Sequence, residues 1–227
     1  MSLIAFAALA LGADWEAEEA LKRFKTACRS ADPAVRAAGV AGLARVPHDK
    51  TFFRVLSLLG VEDRPVRLAA AKALGDFKDW RKAGVPALLA AYPAHAKDGE
   101  TQAAILDSLG RLEDESALPR IHASFRERDI RAALAAVRAT GALRNAGSIE
   151  PLLALMKDLA KSMERTSPGG YEGPNGVGEE GEQQQRLRDL YAAAIQAMQS
   201  ISKDPWTTHQ EWEIWWKRRK GSFKVEK

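Results

Sequence analysis

The stretch that decides the fold is DRPVRLAAAKALG, residues 63–75. Its apolar side chains recur at the spacing of one helix face, at positions 66, 69, 70, 73 and 74. Asp63 precedes them and is typical of a helix N-cap, because its carboxylate can accept from the N–H groups of the first turn. Gly75 follows them and favours a left-handed C-terminal turn. The pattern predicts one amphipathic helix of about three turns.

The same pattern recurs along the chain. Four aspartates that could each cap a helix are separated by 31, 35 and 31 residues: Asp32, Asp63, Asp98 and Asp129. Leucines follow the first three at a constant distance, and glycines follow the last three: Leu43, Leu74, Leu109, Gly75, Gly110 and Gly141. Repetition at a fixed period of this length indicates stacked helical repeats.

A further helix precedes each of these helices. Three prolines stand 33 and 32 residues apart before apolar residues, and proline suits the first turn of a helix: Pro86, Pro119 and Pro151. The first two copies use residues 15–27 and 51–59 for this helix, and a fifth copy pairs residues 149–163 with 187–201. The sequence therefore predicts an all-α solenoid of about five helix pairs over residues 14–203.

These motifs resemble the HEAT-repeat family, including bacterial PBS-lyase-like HEAT proteins, whose second helix reads Asp, Val-Arg, Ala and then Ala-Leu-Gly. Val35-Arg36 and Val66-Arg67 match, whereas Gln102 and Ala133 replace the arginine in the third and fourth copies. The resemblance implies a right-handed stack with the second helices on a concave face. It also implies that the Asp and Arg positions form a structural ladder between repeats.

Two segments fall outside the repeats. Residues 164–185 are rich in glycine, proline and glutamate, which predicts a flexible insertion with Tyr171 as a candidate anchor for a partner. Residues 204–227 form a tryptophan-rich, basic end that resembles the Trp-x-x-Trp-Trp tail of bacterial HEAT proteins. We expect it to cap the stack, and it also supplies candidate binding residues: Trp206, Trp212, Trp215, Trp216, Lys217, Arg218 and Arg219.

The net charge of +4 comes from the end of the chain, because residues 217–227 carry +5 and the preceding residues −1. Residues 1–13 are uncharged and mostly apolar and turn polar at Asp14, which is typical of the end of a signal peptide. We expect an exported protein of the periplasm or cell envelope; a retained first helix would instead fit the cytoplasm.

Motifs for catalysis are missing from the sequence. The four histidines are scattered, no phosphate or dinucleotide loop occurs, and the single cysteine allows no intramolecular disulfide. Some HEAT-like folds act as lyases or glycosylases, but no residue set here matches such an activity. We therefore predict a monomeric, non-enzymatic scaffold without metal or cofactor that binds a protein partner. The alternative is a polyanion, a nucleic acid or an acidic envelope polymer, bound by the basic tail.

Overall fold

A computed structural model describes residues 3–165 and 179–225, with side chains for residues 13–165 and 181–225. The described residues form eleven α-helices and no strand, which confirms the all-α prediction. They fall into two compact units, Met1–Leu112 and Glu113–Lys227. The boundary between the two units lies inside residues 14–203, the predicted repeat region.

Unit 1 contains three helix pairs. Its six helices are α1 (Leu3–Ala27), α2 (Pro33–Ala44), α3 (Asp49–Ser57), α4 (Arg64–Leu74), α5 (Arg81–Ala91) and α6 (Gly99–Leu112). The second helices pack side by side, α2 against α4 and α4 against α6. Each of them also packs against the first helix of its own pair, so that unit 1 is a stack of consecutive repeats.

Unit 2 contains the last two pairs and a closing helix. Its helices are α7 (Leu118–Ala123), α8 (Ile130–Leu143), α9 (Ile149–Arg165), α10 (Glu179–Ser202) and α11 (His209–Arg219). The second helices α8 and α10 pack against each other, and α11 packs against α9. The five predicted pairs are therefore present, three in unit 1 and two in unit 2.

The four repeated aspartates are helix caps, as predicted. The carboxylate of Asp32 accepts from the N–H of Ala34 at 2.8 Å, and the other three accept from first-turn N–H groups of α4, α6 and α8 in the same way. Each accepted bond pairs one of the N–H groups that a helix N-terminus leaves without a partner. The repeated leucines Leu43, Leu74 and Leu109 are fully buried between the helices.

Gly75 does not adopt the left-handed turn that we predicted. Its φ of −64° is right-handed, and left-handed residues instead follow α6, α8 and α10, at Glu113, Arg144 and Lys203. A Cβ at Gly75 would lie 2.6 Å from the guanidinium of Arg111, so that this glycine leaves room for a neighbouring side chain.

Pro86 is not in the first turn of its helix, which is also a correction. It is the sixth residue of α5, because a 3-10 turn at Lys78–Trp80 leads into the helix and starts it at Arg81. Pro119 lies in the first turn of α7, as predicted.

The predicted insertion is shorter than residues 164–185. Residues 164–165 end α9, and residues 179–185 begin α10, since the glutamates and glutamines of this run are good helix formers. Tyr171, our candidate anchor, lies outside the described residues. In the described part of the chain, no helix combines the length and the apolar character needed to cross a membrane.

Candidate functional site

The second helices of unit 1 form a groove of about 910 Å³ that runs over α2, α4 and α6, and we call it the repeat groove. Small and apolar side chains line it along all three helices: Ala37, Ala41, Leu68, Ala69 and Ala104. Short side chains allow the backbone of another segment to approach closely, since little side-chain volume stands in its way. The repeat groove is thus a shallow apolar surface in unit 1.

Charged residues line the same groove in equal number for each sign: Arg64, Lys72, Arg111, Asp76, Glu100 and Asp107. Arg64 donates to Glu100 at 2.8 Å and to both carboxylate oxygens of Asp98 at 3.1 Å. Arg111 forms an ion pair with Asp76 and donates to the backbone carbonyl of Lys72. These contacts fix the charges at defined positions beside the apolar floor.

A ladder of arginines and aspartates joins the repeats of unit 1. Arg36 donates to Asp63 at 2.5 Å, and Arg67 lies 3.4 Å from Asp98. Burial would raise the pKa of the Asp98 carboxyl, but hydrogen bonds from Arg64 and Thr101 outweigh it and hold this pKa well below its usual range. The ladder that the family resemblance implied is therefore present. Its arginines and aspartates hold neighbouring repeats together, which is a structural role.

The third and fourth repeats have no arginine at the ladder position. Position 102 carries Gln102, which is buried, and position 133 carries Ala133, also buried. In unit 2 Asp129 pairs with Arg131 of its own helix at 2.7 Å. Hydrogen bonds from Arg131 lower the pKa of Asp129 below its usual value.

Helix α11 closes unit 2 through its tryptophans. Thr208 caps it and Glu211 completes a capping box, in line with the predicted threonine cap. Trp212 is fully buried and Trp215 is 5% exposed, with their rings 5.4 Å apart in an edge-to-face arrangement. These two predicted binding residues thus form the core under α11.

Trp216 and two ion pairs hold α11 on α9. The Nε1 of Trp216 donates to Glu150 at 3.3 Å, and Lys220 forms an ion pair with the same carboxylate. Hydrogen bonds from Lys220 and Trp216 lower the pKa of Glu150. Lys157 pairs with Glu213 at 3.1 Å, so that the middle and the C-terminal end of α11 are tied to α9.

The other predicted binding residues of the tail are exposed. A groove of about 350 Å³, which we call the α11 groove, is lined by Asp204, Trp206, Glu211, Ile214, Trp215, Arg218 and Arg219. Lys217 is exposed but does not line this groove. The sequence analysis did not single out Ile214, which is 51% exposed. Its position between Trp212 and Trp215, which share the buried face, places it on the opposite face of the helix.

Within the described ranges, no group of three His, Cys, Asp or Glu side chains is arranged to hold a metal ion.

His122 forms a contact with a buried hydroxyl: its Nε2 lies 3.0 Å from the hydroxyl of Ser148. Burial lowers the pKa of His122, which favours the neutral ring. This pair joins the 3-10 turn before α9 to α7.

Comparison with known proteins identifies the repeats. Residues 20–96 match a family model described as HEAT repeats, and this range extends from α1 past α5. No curated protein shows significant similarity to the chain. The matched residues contain two of the four Asp caps, two of the three repeated leucines and the first step of the ladder. Residues 20–96 of the chain are therefore similar to HEAT repeats.

Proposed function

We propose that this chain is a non-catalytic protein-interaction scaffold that holds a segment of a partner protein in the repeat groove. One observation carries the proposal: three consecutive second helices present a groove of about 910 Å³ with an apolar, alanine-rich floor. Stacked repeats commonly bind partners along the surface that their second helices create. Apolar side chains of the partner would be buried against the apolar floor, and the charged residues beside it would select a partner with complementary charges.

The charges of the groove support binding more than catalysis. Arg64 and Arg111 each take part in ion pairs with carboxylates of the same unit. Groups engaged in this way are held in one position and one charge state, which suits recognition of a complementary surface. A partner segment with both acidic and basic side chains around an apolar stripe fits this lining.

Affinity capture with a filled groove tests the proposal. Ala41 is exposed and lines the groove, so that Ala41→Trp should fill it without disturbing the core. Ala90→Trp is the matched control, because Ala90 is exposed on α5 and lies outside the groove lining. We expect quantitative mass spectrometry to show a protein that the wild type and Ala90→Trp retain and that Ala41→Trp loses. Equal recovery with both variants would contradict the proposal.

Polyanion binding by the basic tail is the alternative function. The exposed side chains of Lys217, Arg218 and Arg219 favour it. Burial of Trp212 and Trp215 removes two of the rings on which bases could stack. Binding of this kind must weaken steeply with salt, so that an affinity unchanged between low and moderate ionic strength would dismiss it.

We also propose that the protein is exported and monomeric in its compartment. The apolar residues 1–13 and the change to polar residues at Asp14 support export. N-terminal sequencing of the native protein should give a mature chain that begins near Asp14. Recovery of the original Met1 or Ser2 would contradict export, and a dimer mass in light scattering would contradict the monomer.

A further inference from the structure

We propose that the α11 groove is a second docking surface, independent of the repeat groove, which binds an acidic peptide with an apolar anchor side chain. The anchor would lie between Trp206 and Ile214, and a neighbouring carboxylate would bind Arg218 or Arg219. The apolar and the charged parts of this surface carry the proposal together.

The apolar part is an exposed pair of large side chains in one groove. Trp206 is 38% exposed and Ile214 is 51% exposed, and both line the α11 groove. Among the described residues, the other exposed large hydrophobic side chains all lie in unit 1: Trp15, Val35 and Phe53. An exposed tryptophan beside an exposed isoleucine in a groove of about 350 Å³ gives an apolar anchor something to bury against.

The groove wall is held in place by contacts with α10. Gln199 of α10 donates through Nε2 to the backbone carbonyl of Trp206 at 3.2 Å. The N–H of Asp204 donates to the hydroxyl of Ser202, the last residue of the helix, at 3.1 Å. A wall tied in this way costs less ordering entropy on binding than a free segment does.

The charged part is a pair of arginines with free guanidinium groups. Arg218 and Arg219 are exposed and line the groove, and no ion pair joins either of them to a carboxylate in the described part of the chain. Lys220, which follows them, is already paired with Glu150. Guanidinium groups bind carboxylates through two parallel hydrogen bonds, so that an acidic side chain complements this end of the groove.

The lining favours a peptide over a nucleic acid. It includes the carboxylates of Asp204 and Glu211, which would repel a continuous row of phosphates. Glu211 accepts from the N–H groups of Thr207 and Thr208, so that its charge faces the helix N-terminus and leaves the arginines available. A single acidic residue next to an apolar one fits this mixed lining.

A displayed library of random octapeptides, selected on the full chain at moderate salt, tests the proposal. Enriched peptides should carry Asp or Glu within a few positions of an aromatic residue or leucine. Labelled copies should lose at least tenfold in affinity, measured by fluorescence anisotropy, for Arg218→Gln/Arg219→Gln and for Trp206→Ala. The matched control Lys217→Gln/Lys224→Gln removes the same charge outside the groove and should change the affinity less than twofold.

Three results would overturn the proposal. The first is a selection that enriches no peptide or enriches peptides without carboxylates. The second is an equal loss of affinity in the Lys217→Gln/Lys224→Gln control, which would indicate attraction by net charge alone. The third is displacement of the peptide by an oligothymidine of twelve nucleotides, which would assign the surface to nucleic acid. Cooperative thermal unfolding, with a midpoint well above the temperature of the binding assay, shows that each variant is folded.

Discussion

Arg36 donates its Nε–H to the carboxylate of Asp63 at 2.5 Å, and this bond joins the second helix of the first repeat to the cap of the next. The same guanidinium donates to the backbone carbonyls of Ser30 and Ala31 at 2.9 and 2.8 Å. One side chain therefore ties the start of its own helix to the start of the following one. Stability in a repeat protein depends on contacts of this kind between neighbours.

Replacing Arg36 should destabilise unit 1. Arg36→Met removes three hydrogen bonds from a side chain that is 21% exposed, and it takes the guanidinium away from Asp63. We expect a loss of about 1–2 kcal/mol in the free energy of unfolding, measured by urea denaturation followed by circular dichroism. Arg29→Met is the control: Arg29 is exposed, and the change should stay within about 0.5 kcal/mol. Equal effects of the two variants would contradict a role for the ladder.

The Asp98 carboxylate should make stability depend on pH in the acid range. Its pKa is lower in the folded than in the unfolded chain, so that its contribution is present above about pH 4 and is lost as the pH falls toward the folded value. Asp98→Asn keeps a good N-cap but removes the charge, and should cost about 1–2 kcal/mol at neutral pH.

The difference in stability between wild type and Asp98→Asn should stay constant from pH 6 to about pH 4 and should then shrink as thermal unfolding is repeated down to pH 2. Asp79→Asn serves as the control, because Asp79 is exposed on the turn before α5. A difference that stays constant over this pH range would show that Asp98 does not stabilise the fold through its charge.

Replacing a buried tryptophan of the tail should lower the free energy of unfolding more than replacing an exposed one. Trp212→Ala removes a fully buried ring from under α11 and should cost about 3–5 kcal/mol. Trp206→Ala changes a side chain that is 38% exposed and should cost clearly less, on the order of 1 kcal/mol. Circular dichroism is the appropriate signal, because it does not depend on the tryptophans removed. Similar losses for both would contradict the assignment of α11 as a cap.

Two glycines in second helices should respond to alanine in opposite directions. A Cβ at Gly141 of α8 would lie 3.1 Å from the Cα of Ala197, so that Gly141→Ala forces α8 and α10 apart and should destabilise by about 1–3 kcal/mol.

Gly42 of α2 is the matched control, because a Cβ there meets nothing within 4 Å. Gly42→Ala should stabilise by about 0.5–1 kcal/mol through helix propensity alone. Thermal unfolding of the two variants side by side checks both signs, and destabilisation by Gly42→Ala would be inconsistent with this account.

The sequence predicted the features that local chemistry decides. Asp32, Asp63, Asp98 and Asp129 cap helices because the cap needs only a carboxylate and the following N–H groups. The spacing of Trp212 and Trp215 likewise predicts a shared face, which the structure buries. The periodicity of apolar residues and the positions of the caps were sufficient to predict the helix pairs.

Features that depend on distant residues were not predictable in the same way. Gly75 has no left-handed backbone, and its role depends on Arg111, which lies 36 positions later in the chain. The start of α5 ahead of Pro86 depends on the turn at Lys78–Trp80. The repeat groove requires α2, α4 and α6 to lie side by side, and its lining emerges only from that arrangement.

Site-directed photo-cross-linking tests the central claim, that the repeat groove holds a partner, most directly. A benzophenone side chain at Ala41 would lie in the groove, and one at Ala90 would lie on the exposed surface of α5. Irradiation in the native cell extract should give a discrete adduct with one partner protein from position 41 and only background from position 90. Equal adduct yields at the two positions, or no adduct at position 41, would contradict the proposed scaffold.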